Sequence, residues 1–144
     1  MNPVSYISAD ALAELVRDPE KAPGADYIVI DVRDADFAGG HIPGATNVPA
    51  HKLPEVIESL VDKCQAVPLV VFHCALSQVR GPKSARRYSD AVKHRLVSAA
   101  EGDPLFDQEI KVLRGGFDSW CLRFSEDEPD LVEGYDAKTR AEHA

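Results

Sequence analysis

A chain of 144 residues has room for one domain whose core needs neither disulfides nor a metal to hold it. Its composition, 44% hydrophobic and 28% charged, is that of a folded globular protein and excludes a disordered chain. A formal charge of −8 argues against nucleic acid as a partner, and no apolar run reaches membrane-spanning length, so a bilayer is not expected either.

The chain opens on MNPVSYISAD, which lacks the basic-then-apolar character of a secretory signal; a cytoplasmic or nuclear location is the expectation. Ser8 can cap a first helix over residues 9–16, where apolar residues recur at helical spacing before Pro19. Tyr27–Val32 is a short β-branched run and reads as a buried strand. Gly39 to Ala45 is a Gly/Pro-rich loop, and residues 47–49 add a short extended piece. Leu53, Val56, Ile57 and Leu60 mark a second helix. Val67–Phe72 is the clearest buried strand, a continuous apolar run that delivers His73 and Cys74 to its end. Pro82 suits a helix's first turn, and a helix is expected over 83–97. Ile110–Leu113 reads as a further strand, closed by Gly115-Gly116 and followed by a short helical stretch through Trp120. The last twenty residues, mostly polar and acidic, read as a docked extension or a frayed tail. Strands alternating with helices imply an α/β domain with a largely parallel sheet, in which ligands bind beyond the carboxyl ends of the strands.

Cys74 falls at such an end, with Arg80 six positions on. Spacing alone is weak, because a cysteine and an arginine often fall six apart by chance. The setting between a buried strand and a helix is more specific. If residues Ala75, Leu76, Ser77, Gln78 and Val79 curl above Cys74, their amides converge into an anion nest at the positive end of the next helix. Arg80 then offers a planar fork to two oxygens of a phosphate, and the same donors favour Cys74 as a thiolate nucleophile. Taken singly, Cys74 is a buried thiol, Arg80 a surface residue and His73 a satisfied core histidine. Together they make a site in which His73 orients the loop rather than shuttling protons. Arg80, Lys83, Arg86, Arg87, Lys93 and Arg95 concentrate positive charge after Cys74, which suits an anionic substrate or simply a solvated helix face. Cys64 and Cys121 are expected to be packing residues rather than resolving thiols; with Cys74 they form no paired framework, and no Cys/His cluster has zinc-ligand spacing, so no metal is expected.

IDVRDADFAGGHIPGATNVP (residues 30–49) resembles the first signature of rhodanese-like domains, and VLRGGFDSW (112–120) resembles their closing one, with HCALSQVRGPK between them in order. The resemblance implies a five-stranded, mainly parallel sheet flanked by helices on both faces, with residues 1–124 as the catalytic domain and 125–144 as its acidic C-terminal extension. It also implies that Asp31 buttresses the active loop. In that superfamily sulfur-transferring members generally have a six-residue loop, whereas the loop from Cys74 to Arg80 has seven. Seven is the length seen in kinase-activating dual-specificity phosphatases and eukaryotic arsenate reductases, and Arg80-Gly81-Pro82-Lys83 is similar to the arsenate reductase branch and its small fungal and plant phosphatase relatives.

Two departures from those phosphatases stand out. Ala75 and Val79 occupy positions where they carry glutamates, and Val32 stands where they keep a second cysteine. The expected substrate is a phosphate or arsenate oxyanion, the phosphate borne by an aryl group or a protein. A phosphatase needs an acid for the leaving oxygen; Asp34, Asp36, Asp103 and Asp107 are the candidates. A reductase needs no loop acid and no resident cofactor, but glutathione or glutaredoxin as reductant and partner. Sulfur transfer from thiosulfate and a non-catalytic binding module are the alternatives.

Overall fold

The computed structural model describes residues 2–143. Five strands form one sheet, β1 (Val4–Ile7), β2 (Ile28–Asp31), β3 (Thr46–Asn47), β4 (Leu69–His73) and β5 (Glu109–Leu113). Their order is β1-β5-β4-β2-β3 and every pairing is parallel. The strand that leads into Cys74 is therefore the middle one, with β5 on one side and β2 on the other. Its lack of polar alternation follows from that place, since both of its faces are covered.

The helices are α1 (Ala9–Arg17), α2 (Leu53–Cys64), α3 (Arg80–Leu96), α4 (Gly116–Phe124) and a short α5 (Ala137–Glu142). Successive strand residues point to opposite faces and so feed two separate cores. Ile28, Ile30, Val70, Phe72, Ile110 and Val112 meet Leu60, Val61, Tyr88 and Val92 of α2 and α3. Val29, Val71 and Leu113 meet Leu12, Phe117 and Trp120 of α1 and α4. No helix among the described residues is long and apolar enough to cross a membrane.

Ser8 caps α1 as expected, its Oγ accepting from the Ala11 amide at 3.1 Å. Two of the differences from the sequence expectation concern the sheet and the loop's exit. β1 was not anticipated, because its four residues are half exposed and offer no apolar run; parallel pairing of Val4–Ile7 with Ile110–Leu113 is what makes it a strand. α3 begins at Arg80 rather than Lys83, so Pro82 lies inside the first turn, where a missing amide hydrogen leaves no bond unmade.

The C-terminal segment docks back onto the domain. Leu131 and Val132 are buried, the Trp120 indole donates to the Leu131 carbonyl at 2.8 Å, and His41 and Glu133 exchange backbone hydrogen bonds.

Candidate active site

Cys74 lies just past the last residue of β4, 3% exposed at the floor of a loop that returns to the chain at α3. The Ser77 amide donates to Cys74 Sγ at 3.2 Å, so the loop has curled over the sulfur as an anion nest requires. Ser77 reaches that position with a positive φ of 54°, an uncommon conformation for a residue bearing a Cβ. Such strain is characteristic of residues whose surroundings over-determine them.

Two helix N-termini fix the loop. The first amides of α4 cap it from the side, Phe117 donating to the Cys74 carbonyl at 2.9 Å and Asp118 to the Ala75 carbonyl at 2.8 Å. The approach is close enough that a Cβ on Gly116 would sit 2.5 Å from the Ala75 oxygen and 2.6 Å from that of Cys74. At the other end, α3 starts against the strand, where a Cβ on Gly81 would stand 3.2 Å from the Cys74 nitrogen. Both loop ends are thus held by close backbone contacts, which leave no room for a Cβ at Gly116 and little at Gly81.

Arg80, the first residue of α3, gives both terminal nitrogens to Asp36, at 3.1 Å to Oδ1 and 2.7 Å to Oδ2. Burial pushes the Asp36 carboxyl up, but the Arg80 pair and the Asp34 amide outweigh it and hold the carboxyl below its usual range. The Arg80 guanidinium is raised, first by the Asp36 bond, with the adjoining Cys74 sulfur adding to the effect. Behind this pair lies a second one. Arg33 is 1% exposed and binds Asp31 through Nε at 3.0 and 3.1 Å and through Nη2 at 2.7 Å. Its other donors reach the Asp36 carbonyl at 3.0 Å and the Gly40 carbonyl at 2.9 Å, and its Cζ lies 4.1 Å from the Phe117 ring centroid. A buried pair so fully hydrogen-bonded recovers much of the cost of taking both charges out of water.

His73 is fully buried with Nδ1 3.1 Å from the Cys74 carbonyl. A carbonyl only accepts, so Nδ1 carries the hydrogen and His73 orients the loop's first peptide. Nε2 makes no hydrogen bond and faces Asp31 Oδ2 at 3.6 Å. Burial lowers the histidine pKa, and the Asp31 charge opposes that only in part.

The structure brings Cys74, Arg80, His73, Asp31 and the loop residues together. Within the loop, Ser77 is buried, Gln78 is exposed, and Leu76 and Val79 are 52% and 69% exposed, giving the seat an apolar rim. Of the four aspartates considered as acids, two are misplaced. Asp103 and Asp107 flank a 3-10 turn that leads into the start of β5, about 15 Å of strand away from the carboxyl edge. Asp34 is exposed, with an oxygen 3.6 Å from His51 Nδ1. Asp36 is at the site, but as an ionised partner of Arg80. The basic run is also divided: at 1.5 Å per residue Lys93 is about 20 Å up the helix from Arg80, and Arg95 pairs with Glu58 and Asp62 of α2. Cys64 is buried at the far end of α2 with its thiol pushed up to about 11 by burial, and its carbonyl accepts from Gln108 at the opposite sheet edge. Cys121 is buried in the core beneath α4.

Arg33 escaped the sequence reading altogether, as did the two amides of α4. A signal for Arg33 existed: Asp31 and Arg33 are two residues apart at the end of an apolar strand, hence on one side of it and able to pair. A cavity of about 220 Å³ adjoins the loop, lined by Arg33, Asp36, Ala75, Asp118, Arg140 and His143.

Known proteins are similar to this one along most of the chain. The dual specificity phosphatase ibp1 of Schizosaccharomyces pombe is 33% identical over 133 residues, covering 86% of this chain and 93% of its own. Arsenate reductase 2.2 of Oryza sativa subsp. japonica is 36% identical over 121 residues, covering 83% of both chains. Among solved structures, Ygr203w, a yeast protein tyrosine phosphatase of the rhodanese family, superposes with a TM-score of 0.73 at 29% identity, covering 97% of this chain and 98% of that one. The rhodanese-like domain matches residues 8–123, from the cap of α1 into α4, and the chain belongs to that family.

Proposed function

We propose that this protein is a cysteine-dependent enzyme acting on tetrahedral oxyanions, with Cys74 as nucleophile and Arg80 and the amides of residues 75–79 as the oxyanion seat. The observation that carries the reading is the Ser77 amide aimed at Cys74 Sγ from a seven-residue loop that ends on Arg80. Similarity to phosphatases and arsenate reductases along most of the chain supports it. On a phosphate monoester, the thiolate attacks phosphorus in line with the leaving oxygen, the loop amides and Arg80 hold the charge on the equatorial oxygens, and water then hydrolyses the phosphocysteine.

The second reading, arsenate reduction, is favoured by the apolar rim. Leu76 and Val79 supply no proton, and Asp36 is ionised. A seat with no acid suits a substrate that brings its own proton, as hydrogen arsenate does. On arsenate the thiolate displaces a hydroxyl that leaves as water with that proton; two thiols, from glutathione or a glutaredoxin, then supply the two electrons that take arsenic from +5 to +3, breaking the bond to Cys74 and releasing arsenite, a disulfide and the free Cys74 thiol. The test is p-nitrophenyl phosphate hydrolysis and arsenate reduction with glutathione and glutaredoxin, each with wild type and Cys74→Ser. At least one activity is expected in wild type, reduced at least about a thousandfold by the substitution; activity that survives it overturns the assignment of the nucleophile.

A further inference from the structure

We infer that Asp36 is the positioning residue of the oxyanion seat, holding the guanidinium of Arg80 by its outer edge so that its Nε edge is presented to the anion above Cys74. The inference rests on the oxyanion chemistry proposed above and says how the seat is kept in register.

A guanidinium has two edges able to form paired hydrogen bonds, one between the two terminal nitrogens and one between Nε and a terminal nitrogen. Asp36 takes the first with both oxygens, at 3.1 and 2.7 Å. Nε makes no bond to any described residue, and Arg80 lies close enough to Cys74 for the sulfur to raise its basicity. The unfilled edge is the one left available to pair with two oxygens of an anion bound above Cys74.

Asp36 is itself fixed rather than free to follow Arg80. The Asp34 amide donates to its Oδ1 at 2.8 Å, and Arg33 holds its carbonyl at 3.0 Å. Since Arg33 is bound to Asp31 at the end of β2, four alternating charges connect the central sheet to the loop's arginine: Asp31, Arg33, Asp36, Arg80. A half-exposed arginine without such a hold samples many rotamers, and the entropy of fixing it would be charged to substrate binding.

Two other roles for Asp36 make opposite predictions. As a general acid its loss would matter most for poor leaving groups, and as a carboxylate competing with substrate its loss would tighten anion binding. The experiment compares Asp36→Asn, Asp36→Ala and Asp36→Glu with wild type, using p-nitrophenyl phosphate, phenyl phosphate and calorimetric binding of inorganic phosphate. Positioning predicts about a tenfold weaker phosphate affinity and a 30- to 100-fold fall in kcat/KM, equal for the two esters, with Asp36→Glu restoring part of it. A loss that grows on phenyl phosphate, a tighter phosphate complex, or unchanged constants would overturn it. Thermal unfolding of each variant separates these effects from a damaged fold. If wild type turns over neither ester nor arsenate, the proposed function fails while phosphate affinity still decides the role of Asp36.

Discussion

Protonating His73 would place a charge on Nε2, a fully buried atom whose nearest counter-charge is Asp31 at 3.6 Å. The folded pKa is lowered from 6.5, so between it and 6.5 the unfolded chain binds a proton that the folded chain refuses. Stability from this residue is complete above about pH 6.5 and is lost as pH falls from there toward the folded pKa, each unit of that window being worth about 1.4 kcal/mol. The melting temperature should thus decline from pH 7.5 to 5 in wild type and do so less steeply in His73→Gln. Parallel slopes would mean that other groups set the acid limb. Cys74 and Arg80 were legible as candidates only as a pair, because strand, turn and helix signals framed them together. The roles of Arg33 and Asp36 were not, because an aspartate in a loop looks alike whether it binds solvent or a guanidinium more than forty positions away.

At the scale of elements, the sequence displayed what is periodic and hid what depends on a partner. β4 could be read from its apolar run, whereas β1 exists because β5 offers it a parallel ladder. The same distinction holds for α4, whose helical stretch was expected but whose second and third amides, those of Phe117 and Asp118, close the Cys74 loop. Gly116 marks that junction with a φ of 62° and no space for a Cβ against two carbonyl oxygens. Gly116→Ala is therefore expected to destabilise by at least about 2 kcal/mol, combining backbone strain with a steric clash, and to lower activity beyond what the unfolded fraction explains. Urea titration beside kcat/KM measured under fully folded conditions distinguishes the two effects. Gly24→Ala is a useful control, since its φ of 90° is comparably strained but no atom lies within 4 Å of the added Cβ.

For the molecule as a whole, the acidic C-terminal segment contributes to both core and site. Residues 129–133 bring Leu131 into the core, and beyond them Asp136 donates its amide to the Gly39 carbonyl while Arg140 pairs with Asp118 and lies over the Phe117 ring. Ending the chain after Phe124 should cost at least about 4 kcal/mol, because it removes buried Leu131 and leaves the Trp120 indole without its acceptor. Ending it after Glu133 spares that core and should cost about 1 kcal/mol. Denaturant unfolding followed by fluorescence of Trp120, the sole tryptophan, checks both, and equal stability of the two truncations would deny the segment its part in the core.

The bonds from Phe117 and Asp118 to the loop have a consequence for how the protein is made. The loop is complete in the chain at Arg80, but the amides that close it belong to residues translated 37 and 38 codons later, about 2 to 8 s at ordinary rates of synthesis. β5, which joins β1 to β4, is translated only just before α4, so sheet and loop closure become possible almost together. A chain ended before Phe117 is therefore expected to present Cys74 as an ordinary thiol.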